Sequence, residues 1–452
     1  MLSINPATGK IIREYREYPA SEVSAIVVDV QSAWLSWKET SFDYRSSLLI
    51  KAAKILRQKK EEYARLMTME MGKLLRESMA EIEKCAWVCD FYADHGAEML
   101  KDEVIVTDAS RSFVTFQPMG PILAVMPWNF PFWQVIRFAA PTLMAGNAAV
   151  LKHASNVPGC ALAIEQIFNE AGFPANLFRT LMIPASGVSA VITHPSIVAA
   201  TLTGSEAAGS HVAALAGKYL KKTVLELGGA DPFIVLDDAD LDNAVKTAVT
   251  ARMINQGQSC IAAKRFIVMD SVEQQFVSGL KSIFQSLRIG DPMDPETQVG
   301  PMARPDLVDE IEQQVTRSVA TGAKLVTGGH RPDRHGCYFE PTILSDVQKG
   351  MPVYSQETFG PVVSVIKVHS EEEAIRVAND SDYGLGGCVW TRNLKKGEEI
   401  ARKVASGAIF VNGMTKSDPR LPFGGIKKSG YGRELGSYGI REFVNIKTVW
   451  IG

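Results

Sequence analysis

No apolar run in this chain approaches the ~20 residues needed to span a bilayer, and the start, Met1-Leu2-Ser3-Ile4-Asn5-Pro6, lacks the basic and apolar regions of a secretory signal. The expected location is the cytoplasm, with no membrane partner. Charge of one sign is missing too: 48 Lys and Arg are interspersed with 50 Asp and Glu, a formal balance of −2. Such a surface has no footprint for nucleic acid, so the expected ligand is a small molecule. Cysteine is scarce: six residues, at 85, 89, 160, 260, 337 and 388, are too few and too scattered for a disulfide framework, and a reducing compartment fits. Cys85 and Cys89 lie four apart in an expected helix, but no second pair or nearby histidine completes a metal site, so no metal is expected and a plain core face is the better reading. None of the seven histidines sits in a nucleophile-activating motif, which argues against a cysteine hydrolase working without a cofactor.

What is present is enough length, 452 residues, for two or three domains. From Ser21 to about Met71, apolar residues such as Val23, Ile26, Val27, Leu48, Leu49, Ala52, Ala53, Ile55 and Leu56 recur at helix spacing, and a further helix follows from Leu75 to Met99. Val104–Val106 and Ser112–Phe116 read as a hairpin around Asp108-Ala109-Ser110. The strand-like end, Lys447–Ile451, joins it as a candidate subunit contact, with an edge strand inside one chain as the alternative. From Pro121 onward the texture is short apolar runs separated by helix-length segments: 122–126, 148–152, 177–181 and 198–202, then 233–236, 266–268 and 362–366. That texture predicts parallel sheets covered on both faces, with ligands beyond the carboxyl ends of the strands.

The chemistry centres on Asn255-Gln256-Gly257-Gln258-Ser259-Cys260. A thiol after a polar, glycine-containing loop can serve as a nucleophile, although a lone cysteine is also an ordinary small core residue. Asn129, in Pro127-Trp128-Asn129-Phe130-Pro131, follows the first strand and can point its amide into a cleft, with Pro131 expected at the first helical position; plain helix capping competes. Lys152 at the next strand end suits a ribose hydroxyl or a phosphate, or is a solvated lysine. Thr203-Gly204-Ser205 runs from strand to turn to helix and could face a pyrophosphate, although such turns also arise for conformational reasons alone. Glu226, among Leu225, Leu227 and the pair Gly228-Gly229, is placed for a raised pKa and general-base work, or is a surface or capping glutamate.

In order and combination these stretches resemble the aldehyde dehydrogenase superfamily over nearly the whole chain: Pro-Trp-Asn-Phe-Pro at 127–131, Glu-Leu-Gly-Gly at 226–229, Gly-Gln-Ser-Cys at 257–260, Glu-Thr-Phe-Gly-Pro at 357–361 and Pro-Phe-Gly-Gly at 422–425. The resemblance implies an α/β fold of two doubly wound domains plus a small β oligomerisation element. Residues 1–102 and 119–227 would bind cofactor, 228–430 would form the catalytic domain, and 103–118 with 438–452 would join subunits into a homodimer or homotetramer. Cys260 would attack an aldehyde, Asn129 would hold the oxyanion with the Cys260 N–H, and Glu226 would activate water. CoA-acylating members typically lack that glutamate, so its presence implies hydrolysis. Trp128, Lys152, Gly204, Ser205, Glu357 and Phe359 match positions lining the nicotinamide cofactor.

NAD-specific members carry a glutamate where this chain has Ser155; its absence makes NADP acceptable beside Lys152 without excluding NAD. Arg137, eight residues after Asn129, matches the carboxylate-gripping arginine of the succinate-semialdehyde dehydrogenase group, and a structural arginine paired with the protein's own acid is the competing reading. Two positions depart from that group's patterns: Ile254 replaces a second arginine, and Ala262 stands where a redox cysteine occurs in some members. Ser417 or Arg420 is placed to assist the carboxylate. The expected activity is NAD(P)-dependent oxidation of succinate semialdehyde. Glutarate semialdehyde or aliphatic aldehydes are the broader alternative, and a non-catalytic protein on the same fold is the alternative of another class.

Overall fold

The computed structural model describes residues 1–452. Its first layer is helical, as the periodicity predicts, but the stretch from 21 to 71 is three helices and not one run: α1 (Ala20–Trp37), α2 (Phe42–Gln58) and α3 (Lys60–Met71). Ser41 caps α2 by accepting from the Tyr44 N–H, which separates it from α1. Gly72, at φ +81°, closes α3 in the left-handed conformation that glycine adopts without strain. α4 (Leu75–Met99) buries Ile82, Cys85, Ala86 and Cys89, so the cysteine pair is a core face.

The first sheet has six strands in the order Gly430–Tyr431, Lys222–Glu226, Ala199–Thr203, Pro121–Met126, Ala148–His153 and Phe178–Thr180. All pairings are parallel except that of the first-named strand. The chain moves outward from Pro121–Met126 in one direction and then fills the other side, so a crevice opens where Met126 and Thr203 end. The second sheet has seven strands: Lys324–Thr327, Thr342–Ser345, Val362–Val368, Arg265–Met269, Pro232–Val235, Cys388–Trp390 and Phe410–Val411. Only Lys324–Thr327 is antiparallel. Strands covered on both faces read as continuous apolar runs, which is why Phe233, Ile234, Phe266 and Ile267 are all buried.

One local expectation fails. Pro131 lies in a turn, and α5 (Trp133–Met144) starts two residues later. The buried Glu81 of α4 sets that start: its Oε1 accepts from the N–H groups of both Phe132 and Trp133 at 2.9 Å, doing from another helix what a local cap would do. Glu81 is paired in turn with the buried Lys73.

The hairpin exists, as Glu103–Val104 and Arg111–Pro118, and the terminal strand Val444–Ile451 pairs with its long arm along eight residues of the same chain. Ile446 and Trp450 remain 63% and 56% exposed on this three-stranded sheet, and Val106, in the loop that follows Glu103–Val104, is 95% exposed.

Candidate active site

Cys260 sits half-buried at the end of a loop whose shape is strained and held from all sides. Asn255, Gln256 and Gly257 have φ of 50°, 54° and 77°, three successive left-handed residues of which only the glycine adopts that conformation freely. At Gly257 nothing else fits, because an added Cβ would lie 2.1 Å from the Gly360 carbonyl oxygen. The Asn255 N–H donates to Glu77 at 3.1 Å, and its side-chain amide donates to the Asn129 carbonyl at 2.8 Å. Arg252, buried, donates to the carbonyls of Ala263, Gly257 and Thr358.

Lys264 is the residue that sequence reasoning missed. Its buried ammonium donates to the carbonyls of Ser259, Cys260 and Ala262 at 3.0, 2.7 and 3.2 Å and stands 3.5 Å from Glu357. With its carbonyls drawn toward Lys264, the loop leaves the Cys260 N–H without an acceptor in the protein. The Asn129 amide donates one N–H to the Gln258 carbonyl at 3.0 Å, and its oxygen accepts from Gln134 at 3.1 Å. Its other N–H and that of Cys260 are the two free donors that an oxyanion requires. Burial pushes the thiol up to about 12, with Lys264 and then Arg137 pulling it back. The resting sulfur is therefore protonated.

Glu226 ends its strand beside Thr203, and neither carboxylate oxygen has a hydrogen-bond partner. Burial, and then the neighbouring Glu434, push it well above the usual carboxylate range. The surface-glutamate alternative is thereby excluded: this is a buried carboxyl without a hydrogen-bond partner, in surroundings that favour its neutral form. Glu434 is itself raised by burial and is restrained by its pair with Arg137. Arg137 meets Glu434 by its Nε edge, so it is paired with one of the protein's own acids, and its guanidinium makes no well-directed hydrogen bond to the protein, from Nε or from the terminal nitrogens. The Phe423 ring covers the guanidinium at 4.8 Å, and Phe423 and Glu434 exchange backbone hydrogen bonds at 2.6 and 2.7 Å.

A cleft of about 760 Å³ meets Cys260 and is lined by Trp128, Asn129, Gly204, Ser205, Glu357 and Phe359 among others. Trp128 and Phe359 stand edge to face at 5.8 Å. Ser205 caps the helix Glu206–Lys218 through Ala208 N–H at 3.4 Å, so the turn is a conformational cap and a cleft wall at once. The first-turn N–H groups of Glu206 and Ala207, which have no intrahelical partner, face this space. Glu357 accepts from Gly229 N–H at 2.9 Å, and a Cβ on Gly228 would lie 2.5 Å from its other oxygen. A nucleotide-sized cleft with free amides at one end and a positioned carboxylate at the other fits a nicotinamide dinucleotide. Lys152 and Ser155 lie outside this wall at the neighbouring strand end; Lys152 is buried, which removes the solvated-lysine reading, and Ser155 is exposed. Ser417 is buried and accepts from Lys84 at 2.7 Å, while Arg420 is committed to Asp418.

Fold and site together define a two-sheet α/β protein with a half-buried cysteine at a dinucleotide-sized cleft and a buried carboxyl beside it. The chain belongs to the aldehyde dehydrogenase family, which its residues 1–449 match. It is 55% identical over 449 residues to a Synechocystis sp. protein named as a probable NADP(+) succinate-semialdehyde dehydrogenase, covering 99% of each chain. It is 48% identical over 452 residues to the NADP(+) succinate-semialdehyde dehydrogenase of Mycobacterium leprae, again over 99% of each. The solved structure of succinic semialdehyde dehydrogenase from Streptococcus pyogenes in complex with NADP+ superimposes with a TM-score of 0.98 at 41% identity, over 100% of this chain and 99% of that one.

Proposed function

We propose that this protein oxidises succinate semialdehyde to succinate with NADP as the oxidant. The observation that carries the substrate is Arg137, whose guanidinium lies under the Phe423 ring with its Nε edge against Glu434 and no hydrogen bond from its terminal nitrogens to the protein. A planar fork with two unspent donors suits a carboxylate at the far end of the substrate. The relatives named above support the same substrate and cofactor, and Ser155 contributes no acid to repel a 2′-phosphate.

When bound, the nicotinamide supplies the hydride acceptor. Cys260 loses its proton to solvent in the cleft as sulfur bonds to the aldehyde carbon; the carbonyl π pair passes to oxygen, and the Asn129 amide and Cys260 N–H hold the resulting oxyanion. Two electrons leave that carbon as hydride, and a thioester remains on Cys260. Glu226, once deprotonated, takes a proton from water as the water oxygen adds to the thioester carbon; the C–S bond then breaks, the carboxylic acid departs, and that proton passes to the Cys260 sulfur to restore the thiol. A hydrolytic outcome fits a carboxyl with no other partner.

Steady-state formation of reduced cofactor, with NADP and NAD in parallel, tests the reading. Cys260→Ala takes turnover to background, and Arg137→Ala raises the KM for succinate semialdehyde by ~10-fold or more. An unchanged KM would sink the clamp, and better turnover of uncharged aldehydes would leave the broader alternative.

The exposed Val106, Ile446 and Trp450 support a second copy of this chain on the three-stranded sheet, as homodimer or homotetramer. Sedimentation at monomer mass would remove that assembly. Six free cysteines support a reducing, cytoplasmic setting.

A further inference from the structure

We propose that Lys84 is a second cationic contact for the distal carboxylate of the substrate, forming with Arg137 and Ser417 one anion-binding pocket. The assignment rests on the reading of the site as one for a carboxylated aldehyde.

Lys84 lies on α4, half-buried, with its ammonium 4.1 Å above the ring of Trp133 and 2.7 Å from Ser417 Oγ. Trp133 opens α5 and Arg137 follows one turn later, on the same face of that helix. Two cations from two helices thus converge over apolar walls made by Trp133 and Phe423.

The acids around Lys84 are already committed. Glu81 gives one oxygen to the N–H groups of Phe132 and Trp133 and the other to Lys73. Asp418 is bidentate with Arg420, at 2.9 and 2.6 Å. Glu434 holds the Nε edge of Arg137. Ser417 is a neutral acceptor, so it leaves the ammonium charge uncompensated. A cation in this position, next to a second cation, has a standing demand for an anion.

The titratable groups facing Lys84 are Arg137, Cys85, Glu81 and Asp418; burial first, and then Arg137, pull the ammonium down to about 8. A bound carboxylate would restore the proton. The pocket therefore weakens as pH rises through that value, because the neutral amine no longer attracts an anion.

The test compares succinate semialdehyde with butanal, an uncharged aldehyde of equal carbon count, using the full-length wild type, Lys84→Gln and Lys84→Arg with NADP. Expected for Lys84→Gln is a fall of ~10-fold or more in the ratio of kcat/KM for the acid aldehyde to that for butanal, the weight of one charge-assisted contact. The fall should be carried by KM. Lys84→Arg restores the ratio and removes the rise in KM that the wild type shows above about pH 8. If Lys84→Gln folds poorly, equilibrium binding of succinate to Lys84→Arg and wild type across that pH range reads the same charge. A wild type that prefers succinate semialdehyde, with a preference untouched in Lys84→Gln, overturns Lys84 alone. A wild type with no such preference overturns the carboxylate reading and this assignment with it.

Discussion

The two halves of the catalytic centre are built on opposite principles. On the nucleophile side almost every backbone group is taken: Lys264 holds three carbonyls, Arg252 holds three more, and Asn129, Asn255 and Glu77 tie the remainder to other elements. On the base side Glu226 has no partner at all, and Glu434 has only Arg137. The saturated half tolerates a strained backbone because so many contacts over-determine it. The unsaturated half carries a chemical potential for a proton and a water. Rigidity places the sulfur and the oxyanion donors; polar vacancy sets the acid–base step.

Removing the lone carboxyl breaks the contrast most sharply. Glu226→Gln keeps the shape of the pocket, so one equivalent of reduced cofactor per site should still form in a rapid burst, while steady-state turnover falls ~10²–10⁴-fold with loss of the base. Stopped-flow absorbance separates the two, and loss of the burst along with the steady state would remove Glu226 from hydrolysis alone. In the wild type the raised pKa means that the basic form grows only above the usual carboxylate range, so hydrolysis-limited kcat should climb with pH beyond that range. The variant should lose that climb. Stability runs the other way: Glu226 binds its proton more tightly folded than unfolded, so its contribution is full below the unfolded pKa and is lost as pH rises through the folded one.

A smaller effect is expected on the saturated side. Lys264→Met removes three charge-assisted hydrogen bonds and the largest influence that lowers the thiol. Activity should fall ~10–100-fold, and alkylation of Cys260 by iodoacetamide at fixed alkaline pH should slow by about tenfold for each unit by which its pKa rises. Glu357, Glu226 and Arg137 also face the thiol and remain in place. An unaltered alkylation profile would show Lys264 to be a structural clamp only.

Much of this was legible beforehand. The apolar runs at 122–126, 148–152 and 233–236 became parallel strands because a doubly covered strand has no polar face to alternate. Gly257 was legible because a left-handed turn at close backbone approach admits few residue types. The start of α5 was misread because its cap, Glu81, lies 51 residues away on another helix. Lys264 and Lys84 carried no local signal, since a lysine beside a cysteine or on a helix face is ordinarily solvated.

By itself, then, the chain determined which segments become strands and helices and which side chains are candidates for the chemistry, because residue type, turn conformation and apolar periodicity are properties of a few neighbouring residues. Tertiary structure alone decided the charge states and the spare donors. Glu226 is an isolated acid because Gly424 and Glu434 close over it. Arg137 stands beside Glu434 and under Phe423, groups 297 and 286 residues further along the chain. Burial and electrostatic pairing depend on groups brought together from across the chain, and no local pattern encodes them.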